Sequence, residues 1–478
     1  MLYPQPQTPA FHDRDAAVAF LFGRLDYERT RDVKYCPESF KLERMRNLLE
    51  QLGHPEALLN IIHIAGTKGK GSTATMIAAA LQVAGHRTGL YTSPHLNRIE
   101  ERASINGVPC SERDFVELLS IIHDAVKNLD HEVAIGERSR GPTFFEITTA
   151  MALLHFARKQ VDVAVIEVGL GGRLDSTNVC NPLVSVITNI SFDHTKQLGE
   201  TLAEIATEKA GIIKPGIPVV SGVSNPEARQ VIRKAVAENR CELWEIDSHF
   251  SFRYKPNIIA QTRPAATMSF CNKSAGIPTY MEDVSVGLLG KHQAANAAVA
   301  IATLNQLKSH GFLISEEAIR HGLTNVRCPA RFEVVGFDPT IIIDAAHNVA
   351  SVEAFVDTLE LHFPAQPRIL VFATSRDKDA AGMLRRLLPH FEHVILTRYT
   401  ENPRFVDPDV LLEVATKILN ETGSLADRQA VVSVHEQPIV AWKQAVEKAS
   451  HDSLLCVAGS SFIAGEIRRV LSKGSNER

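Results

Sequence analysis

The chain has 478 residues, 45% of them apolar and 22% charged, with a formal net charge of −4. That length allows two domains or more, the composition is that of a globular protein, and the charge provides no global basic field of the kind that favours nucleic acid. No apolar run reaches bilayer length, and Met1-Leu2-Tyr3-Pro4-Gln5-Pro6 shows no signal-peptide pattern, so neither a membrane nor a nucleic-acid partner is expected.

Residues 14–53 carry an amphipathic helical pattern ending near Gly53. A short apolar strand follows at 62–65, then the glycine-rich turn Gly66-Thr67-Lys68-Gly69-Lys70-Gly71-Ser72 and an alanine-rich helix. A strand is expected at 87–91, helical patterning at 112–128 and a polar loop over 129–143. A helix at 145–159 feeds a β-branched strand at 161–168 of the kind buried in parallel sheets. Strand 183–190, helix 202–213, strand 217–223 and helix 226–239 continue the alternation, which implies βαβ units.

Residues 245–285, with Pro256, Pro264 and Pro278, break that rhythm and read as short antiparallel strands or loops. After a helix at 291–309, a second alternating series begins at 340–345. It runs through helices at 350–362, 379–388, 408–419, 437–449 and 461–472, with strands at 369–373, 393–397, 430–434 and 454–458. The expectation is an α/β protein of two domains, 1–328 and 335–478, with the boundary near 327–337. The seven cysteines, Cys36, Cys110, Cys180, Cys241, Cys271, Cys328 and Cys456, contain no C-x-x-C pair, which suits a reducing cytoplasm and argues against a structural zinc site.

The turn at 66–72 carries the strongest chemical signal. It strips side chains from the backbone so that N–H groups can converge on a phosphate, while Lys70 adds a cation and Ser72 a hydroxyl for Mg²⁺. It departs from a standard Walker A loop, because Ile64 stands at the first glycine position and Gly71 separates Lys70 from the hydroxyl. Further candidates sit at strand ends, where ligands gather in open sheets. Ser93, in Thr92-Ser93-Pro94-His95-Leu96, is a metal ligand or simply a turn serine. Glu167 closes an apolar strand and needs a cation or donors. Asp193-His194 repeats that placement one strand later. Lys209 and Lys214 both fit a helix C-terminus, and charge rules do not choose between them. In the second block, Asp344-Ala345-Ala346-His347-Asn348 and Thr374-Ser375-Arg376-Asp377 follow successive strands.

The order and spacing of these segments resemble the folylpolyglutamate synthase/dihydrofolate synthase family within the Mur ligase superfamily, over roughly residues 41–469. The matching signatures include His63-Ile64-Ala65-Gly66-Thr67-Lys68-Gly69-Lys70-Gly71-Ser72, Thr143-Phe144-Phe145-Glu146, Glu167-Val168-Gly169-Leu170-Gly171-Gly172-Arg173-Leu174-Asp175, Glu208-Lys209-Ala210-Gly211, Gly290-Lys291-His292-Gln293-Ala294-Ala295-Asn296, Arg331-Phe332 and Asp344-Ala345-Ala346-His347-Asn348. The resemblance implies a P-loop-type, mostly parallel ATPase domain and a smaller dinucleotide-fold-like C-terminal domain that closes over the site. It implies an ATP-dependent ligase that adds L-glutamate to dihydropteroate or tetrahydrofolate and uses two Mg²⁺; apart from the resemblance, the chain is expected to be a cytoplasmic monomer.

By the same resemblance, Ser93 and Glu167 match ligands of one Mg²⁺ and His194 a ligand of the second. Lys209 matches a lysine carried as a carbamate, a role that the charge reading misses. Lys70, His194 and Lys209 form the expected catalytic set, and residues 66–72 with Asn296, Arg331 and Asp344 the nucleotide contacts. Thr143, Phe144, Phe145, Glu146, Leu174, Asp175 and Ser176 match the folate side, while His347 and Ser375 are similar to residues near the incoming glutamate. Three departures stand out: Lys68 where asparagine is frequent, Ala330 where glycine is usual, and Val349 where proline is usual. Two alternatives are another ligase of the superfamily, acting on a cell-wall precursor or a polymer, and a non-catalytic ATP-binding protein that keeps the fold.

Overall fold

The computed structural model describes residues 10–26, 42–134, 140–257, 266–273, 279–364, 367–422 and 430–474. Among them, eight strands form the first sheet: β1 (Ile61–Ala65), β2 (Thr88–Tyr91), β3 (Ala103–Ile105), β4 (Val108–Pro109), β5 (Val163–Glu167), β6 (Val184–Ile187), β7 (Val219–Ser221) and β8 (Leu243–Glu245). Their order is β4-β3-β2-β5-β1-β6-β7-β8. β3 and β4 pair antiparallel at one edge, and the other six run parallel. β1 and β5 are buried at every position, as expected for parallel strands covered on both faces.

Helices Glu112–Ala134 and Phe144–Arg158 contribute to one apolar cluster of this unit, and Leu202–Ala210 and Pro226–Glu238 to another. The helix Lys70–Val83 is backed by the helix Glu316–Asn325, and the contact is tight: a Cβ on Gly322 would sit 2.5 Å from the Cα of Ala80.

Strands β9 (Phe250–Lys255), β10 (Ala266–Asn272) and β11 (Thr279–Val286) form a small sheet in the order β11-β10-β9. The chain divides into two compact units, Met1–Arg253 with Ser269–Val284 and Ala295–Val326, and Tyr254–Met268 with Ser285–Ala294 and Arg327–Arg478. The second unit holds β12 (Glu333–Phe337), β13 (Thr340–Ile343), β14 (Arg368–Phe372), β15 (His393–Leu396), β16 (Val431–Val434) and β17 (Leu454–Ala458). Their order is β12-β13-β17-β14-β15-β16, with only β12 antiparallel. No helix among the described residues is long and apolar enough to cross a membrane.

The alternating strands and helices expected from the sequence are present in both units, and the fold is the expected α/β one. Two expectations are corrected. The helical pattern over 14–53 is not continuous: it holds two helices, Arg14–Phe22 and Leu42–Gln51, the first capped by Asp13 and ending at Gly23, and residues 27–41 lie outside the described set. The loop expected at 129–143 begins later, because Leu129 is buried with Val126 and carries the helix on to Ala134; 135–139 lie outside the described residues. The irregular stretch 245–285 contains β9, β10 and most of β11, with 258–265 and 274–278 again outside the described set. The helix Glu316–Asn325 and strand β12 are additions that the sequence reading did not anticipate.

Candidate active site

β1 lies between β5 and β6, with Ile64 in register with Glu167 and Ala65 with Ile187. The segments that leave these three parallel strands therefore emerge at one sheet edge. The turn after β1 is fastened to the segment after β6. Thr67 N–H donates to Asn189 O and Lys68 N–H to Asn189 Oδ1, each at 2.8 Å. The Thr188 hydroxyl donates to Lys68 O at 2.6 Å, and the Thr67 hydroxyl donates to Ser191 O at 3.1 Å. Gly69 has φ +81°, and a Cβ there would lie 2.2 Å from Asn296 Oδ1. Lys70 begins the helix Lys70–Val83, with its ammonium donating to Gly66 O at 3.2 Å, and Ser72 is buried in the first turn.

A Cβ on Gly71 would stand 3.3 Å from Glu167 Oε2, so glycine there leaves room for the carboxylate. Glu167 is 5% exposed, and its Oε2 accepts the Ser93 N–H at 3.1 Å. The oxygen donors that these residues carry, the Glu167 carboxylate and the Ser93 and Ser72 hydroxyls, are of the kind that suits a hard divalent cation. No group of three His, Cys, Asp or Glu suited to a metal occurs among the described residues. A cation here would therefore complete its shell with phosphate oxygens and water, the habit of Mg²⁺. His194 has φ 49°, and its Nε2 lies 3.9 Å from Asp193 Oδ1, while Asp193 Oδ2 meets Lys68 Nζ at 2.7 Å. The lysine at position 68 thus holds the acidic residue beside His194.

Lys209 lies in the last turn of Leu202–Ala210 and is 4% exposed. Burial pushes its ammonium down to about 7, helped by the positive charges of Lys70 and Lys68 and opposed by Asp193 and Asp175. Glycine at 172 allows the loop after β5 to pack on this helix end, since a Cβ there would be 3.0 Å from Lys209 O. Lys214 instead donates to Asn178 O at 3.0 Å. The signal that separates the two lysines was present in the sequence: Lys209 follows the buried Ile205 and Ala206 by four and three residues, on one helix face.

Thr143 caps the helix Phe144–Arg158 in a capping box with Glu146, which accepts the Thr143 N–H at 2.8 Å. Arg44 Nη2 also reaches Glu146 Oε1 at 3.0 Å, both side chains being buried. Phe144 is buried under the Arg102 guanidinium, 5.1 Å from its ring centroid. Phe145 packs so closely on Gly169 that a Cβ would lie 2.4 Å from its Cζ. The Asp175 carboxyl accepts Leu170 N–H and Thr177 N–H, each at 3.0 Å, while burial pushes its pKa up. Leu174 is half-buried and Ser176 buried in the same loop, the Ser176 hydroxyl 3.5 Å from that of Thr149. The carboxylates of Glu146 and Asp175 are thus both fixed by local hydrogen bonds.

In the second unit, Asp344 follows β13 and accepts the Phe332 and Ala346 N–H groups, each at 2.6 Å. Burial pushes its carboxyl up to about 6, and Arg331 opposes that. Ala330 has φ +55°, a backbone state that favours glycine. His347 Nδ1 lies 2.9 Å from Ala345 O, and the Ser375 hydroxyl, after β14, lies 2.6 Å from the Tyr399 hydroxyl. The structure therefore gathers residues 66–72, Ser93, Glu167, Lys209 and Asn296 within the first unit. Arg331, Asp344, His347 and Ser375 stand in loops of the second.

Residues 64–304 match the Mur ligase middle domain, and residues 330–461 match the Mur ligase glutamate ligase domain. The dihydrofolate synthase/folylpolyglutamate synthase of Bacillus subtilis is 36% identical over 433 residues, covering 90% of this chain and 94% of that one. The chain belongs to the folylpolyglutamate synthase/dihydrofolate synthase family of Mur ligases. It is an ATP-dependent ligase. The Mycobacterium tuberculosis folylpolyglutamate synthase solved with ADP matches with a TM-score of 0.82 at 32% identity, covering 96% of this chain and 99% of that one. An Escherichia coli relative solved with DHPP and ADP matches with a TM-score of 0.78 at 27% identity, covering 99% and 100% of the two chains.

Proposed function

We propose that this ligase joins L-glutamate to the carboxylate of dihydropteroate or a reduced folate. The substrate carboxylate oxygen attacks the γ-phosphorus of ATP, the bond to the bridging oxygen breaks, and ADP leaves behind an acyl phosphate. The glutamate amine then attacks the acyl carbon, inorganic phosphate departs, and the amine proton is lost to form the amide. The observation that carries this reading is the meeting of Lys70, the buried Glu167 carboxylate and the buried Lys209 amine around the glycine-rich turn.

In this reading the N–H groups of residues 66–72 and Lys70 hold the phosphates and offset the charge that spreads over the transferring phosphoryl group. Asn296, Arg331 and Asp344 contact the nucleotide. Ser93 and Glu167 would hold one Mg²⁺ and His194 a second, and bound Mg²⁺ supplies charge neutralisation on the phosphates. Lys209 acts as a carbamate. Its depressed pKa leaves much of the amine neutral near pH 7, and a neutral amine attacks CO₂ to form an anionic carbamate with loss of one proton. That converts a buried cation beside Lys70 into an oxygen donor.

Phe145 and Leu174 offer apolar surface to the pterin side, Phe144 backs that region from its buried position, and Thr143, Ser176 and the fixed Glu146 and Asp175 carboxylates are its polar groups. His347 and Ser375 receive the incoming glutamate. We place the working division at 1–328 and 335–478, and assign the enzyme to the cytoplasm as a monomer. The test is incubation with ATP, Mg²⁺ and glutamate, adding dihydropteroate in one reaction and tetrahydrofolate in another, with mass spectrometry for one added glutamyl unit. Product in either reaction supports the reading, and product in neither overturns it.

A further inference from the structure

One buried titratable group of the first unit takes no part in the roles above. β1 is apolar at Ile61, Ile62, Ile64 and Ala65, and only His63 interrupts it, with its side chain fully buried. His63 Nε2 lies 2.9 Å from the Thr177 hydroxyl, and Nδ1 has no hydrogen-bond partner among the described residues. Burial, helped by the positive charge of Lys214, pushes the imidazole down to about 3, so the ring is neutral and carries one proton. Thr177 stands in the short turn Ser176–Val179, which Asp175 caps.

The hydrogen bonds here run in one direction. Asp175 Oδ1 accepts the Thr177 N–H and Oδ2 the Leu170 N–H, each at 3.0 Å, and the Gly169 backbone bonds the same carboxyl. Both oxygens therefore act as acceptors, as those of a carboxylate do. The Thr177 hydroxyl has one proton, and it is donated to Asp175 Oδ1. Its oxygen is left to accept from His63, which places the imidazole proton on Nε2. A chain of donors thus leads from the middle of β1 through Thr177 to Asp175, and Asp175 closes it on Leu170 near the start of the segment that follows β5. Nδ1 remains a buried lone pair without a partner, at a cost of about 1–3 kcal/mol. An aliphatic side chain would fill β1 without that cost, so packing alone does not account for a histidine at this position.

We propose that His63 is a positioning residue for the folate substrate, holding the segment 169–177 through Thr177 and Asp175 so that Leu174, Asp175 and Ser176 keep one geometry toward the pterin. This rests on the folate reading above and deepens it. His63 is buried and touches no substrate, so its effect passes through Thr177 alone. The phosphate turn is fastened separately, to Thr188, Asn189 and Ser191, so breaking the chain at His63 or Thr177 changes folate binding and leaves ATP binding and the phosphoryl step in place.

The test compares the full-length protein with Thr177→Val, which removes the hydroxyl, Thr177→Ser, which keeps it, and His63→Leu, which removes the ring donor. Thermal melting establishes which variants are folded, and Thr177→Val decides alone if His63→Leu is not, because it breaks the same chain from the other end. Thr177→Val and His63→Leu should each raise the KM for the folate substrate roughly tenfold, the value of one hydrogen bond to a charged group. The kcat and the KM for ATP should stay within about twofold. Thr177→Ser should restore the folate KM, and the double variant His63→Leu/Thr177→Val should lose little more than either single one, since both break one chain. In parallel, hydrogen exchange of the Leu170 and Thr177 amides should quicken in Thr177→Val and not in Thr177→Ser. An unchanged folate KM, an equal rise in the KM for ATP, or unaltered exchange would overturn the proposal. A wild-type protein that glutamylates no folate, with exchange responding as expected, would count against the proposed function and not against the chain from His63 to Asp175.

Discussion

A methyl group at position 69 would fall 2.2 Å from Oδ1 of Asn296, so the phosphate turn and the helix Lys291–Ser309 are fitted to one another at a single glycine. Gly69→Ala adds a left-handed strain of about 1–2 kcal/mol to this clash. The expected outcome is ATP affinity reduced by at least about tenfold with the fold retained. Calorimetric titration with ATP checks it, and unchanged affinity would show that the turn rearranges freely.

In the proposed mechanism Lys70 offsets charge that develops on the transferring phosphoryl group, and in the structure its ammonium donates to Gly66 O at 3.2 Å. Lys70→Ala should therefore lower turnover by roughly 10²-fold or more while leaving the melting temperature almost unchanged. Steady-state kinetics with a melting curve measures both. Near-normal turnover would remove Lys70 from the mechanism.

The carbamate proposed at Lys209 would link pH, carbon dioxide and stability. The pKa of Lys209 in the folded chain, about 7, lies below the ordinary lysine value of 10.5, so the unfolded chain binds the extra proton between those limits. The penalty of burying the charge is complete below about pH 7 and is relieved as pH rises toward 10.5. Lys209→Met should therefore melt higher than the wild type at pH 6 and be inactive. Removing dissolved CO₂ should lower wild-type activity, with recovery on adding bicarbonate, and Lys209→Ala should regain part of its activity with a short added carboxylate. Indifference to CO₂ together with failed rescue would rule out the carbamate.

The Arg44–Glu146 pair is a buried ion pair at the start of the helix Phe144–Arg158. Removing one partner leaves a buried charge without compensation, which typically costs about 3–5 kcal/mol. Arg44→Ala should lose stability in that range by urea denaturation, whereas Arg44→Met with Glu146→Gln should lose much less. An exposed pair would lose under about 1 kcal/mol.

Strand and helix alternation was readable because buried parallel strands such as Val163–Glu167 are short apolar runs bounded by turns, a pattern set by local chemistry. The phosphate turn was equally legible, since its glycines and lysines act through the backbone that they permit. What the sequence concealed depends on distant partners. Lys209 and Lys214 look alike as charges, and burial lowers the pKa of both; only the folded packing brings Lys209 beside the charges of Lys70, Lys68 and Asp193, a neighbourhood that helix periodicity does not reveal. The resemblance matched Glu146 and Asp175 to the folate side without showing their partners, and the structure holds them with Arg44, Thr143, Leu170 and Thr177. The helix Glu316–Asn325 escaped notice because its apolar positions are few, and it is held by close packing on small residues.

That helix also sets an order of events during synthesis. Gly322 rests almost in contact with the backbone of Ala80, directly behind the helix that carries Lys70 and Ser72. The phosphate turn leaves the ribosome early, yet its supporting wall arrives only after some two hundred and forty further residues have been made. A nascent chain stopped short of Glu316 would carry every residue of the turn and still lack the surface that steadies it. Nucleotide binding by the growing polypeptide should therefore begin only once that late helix has docked.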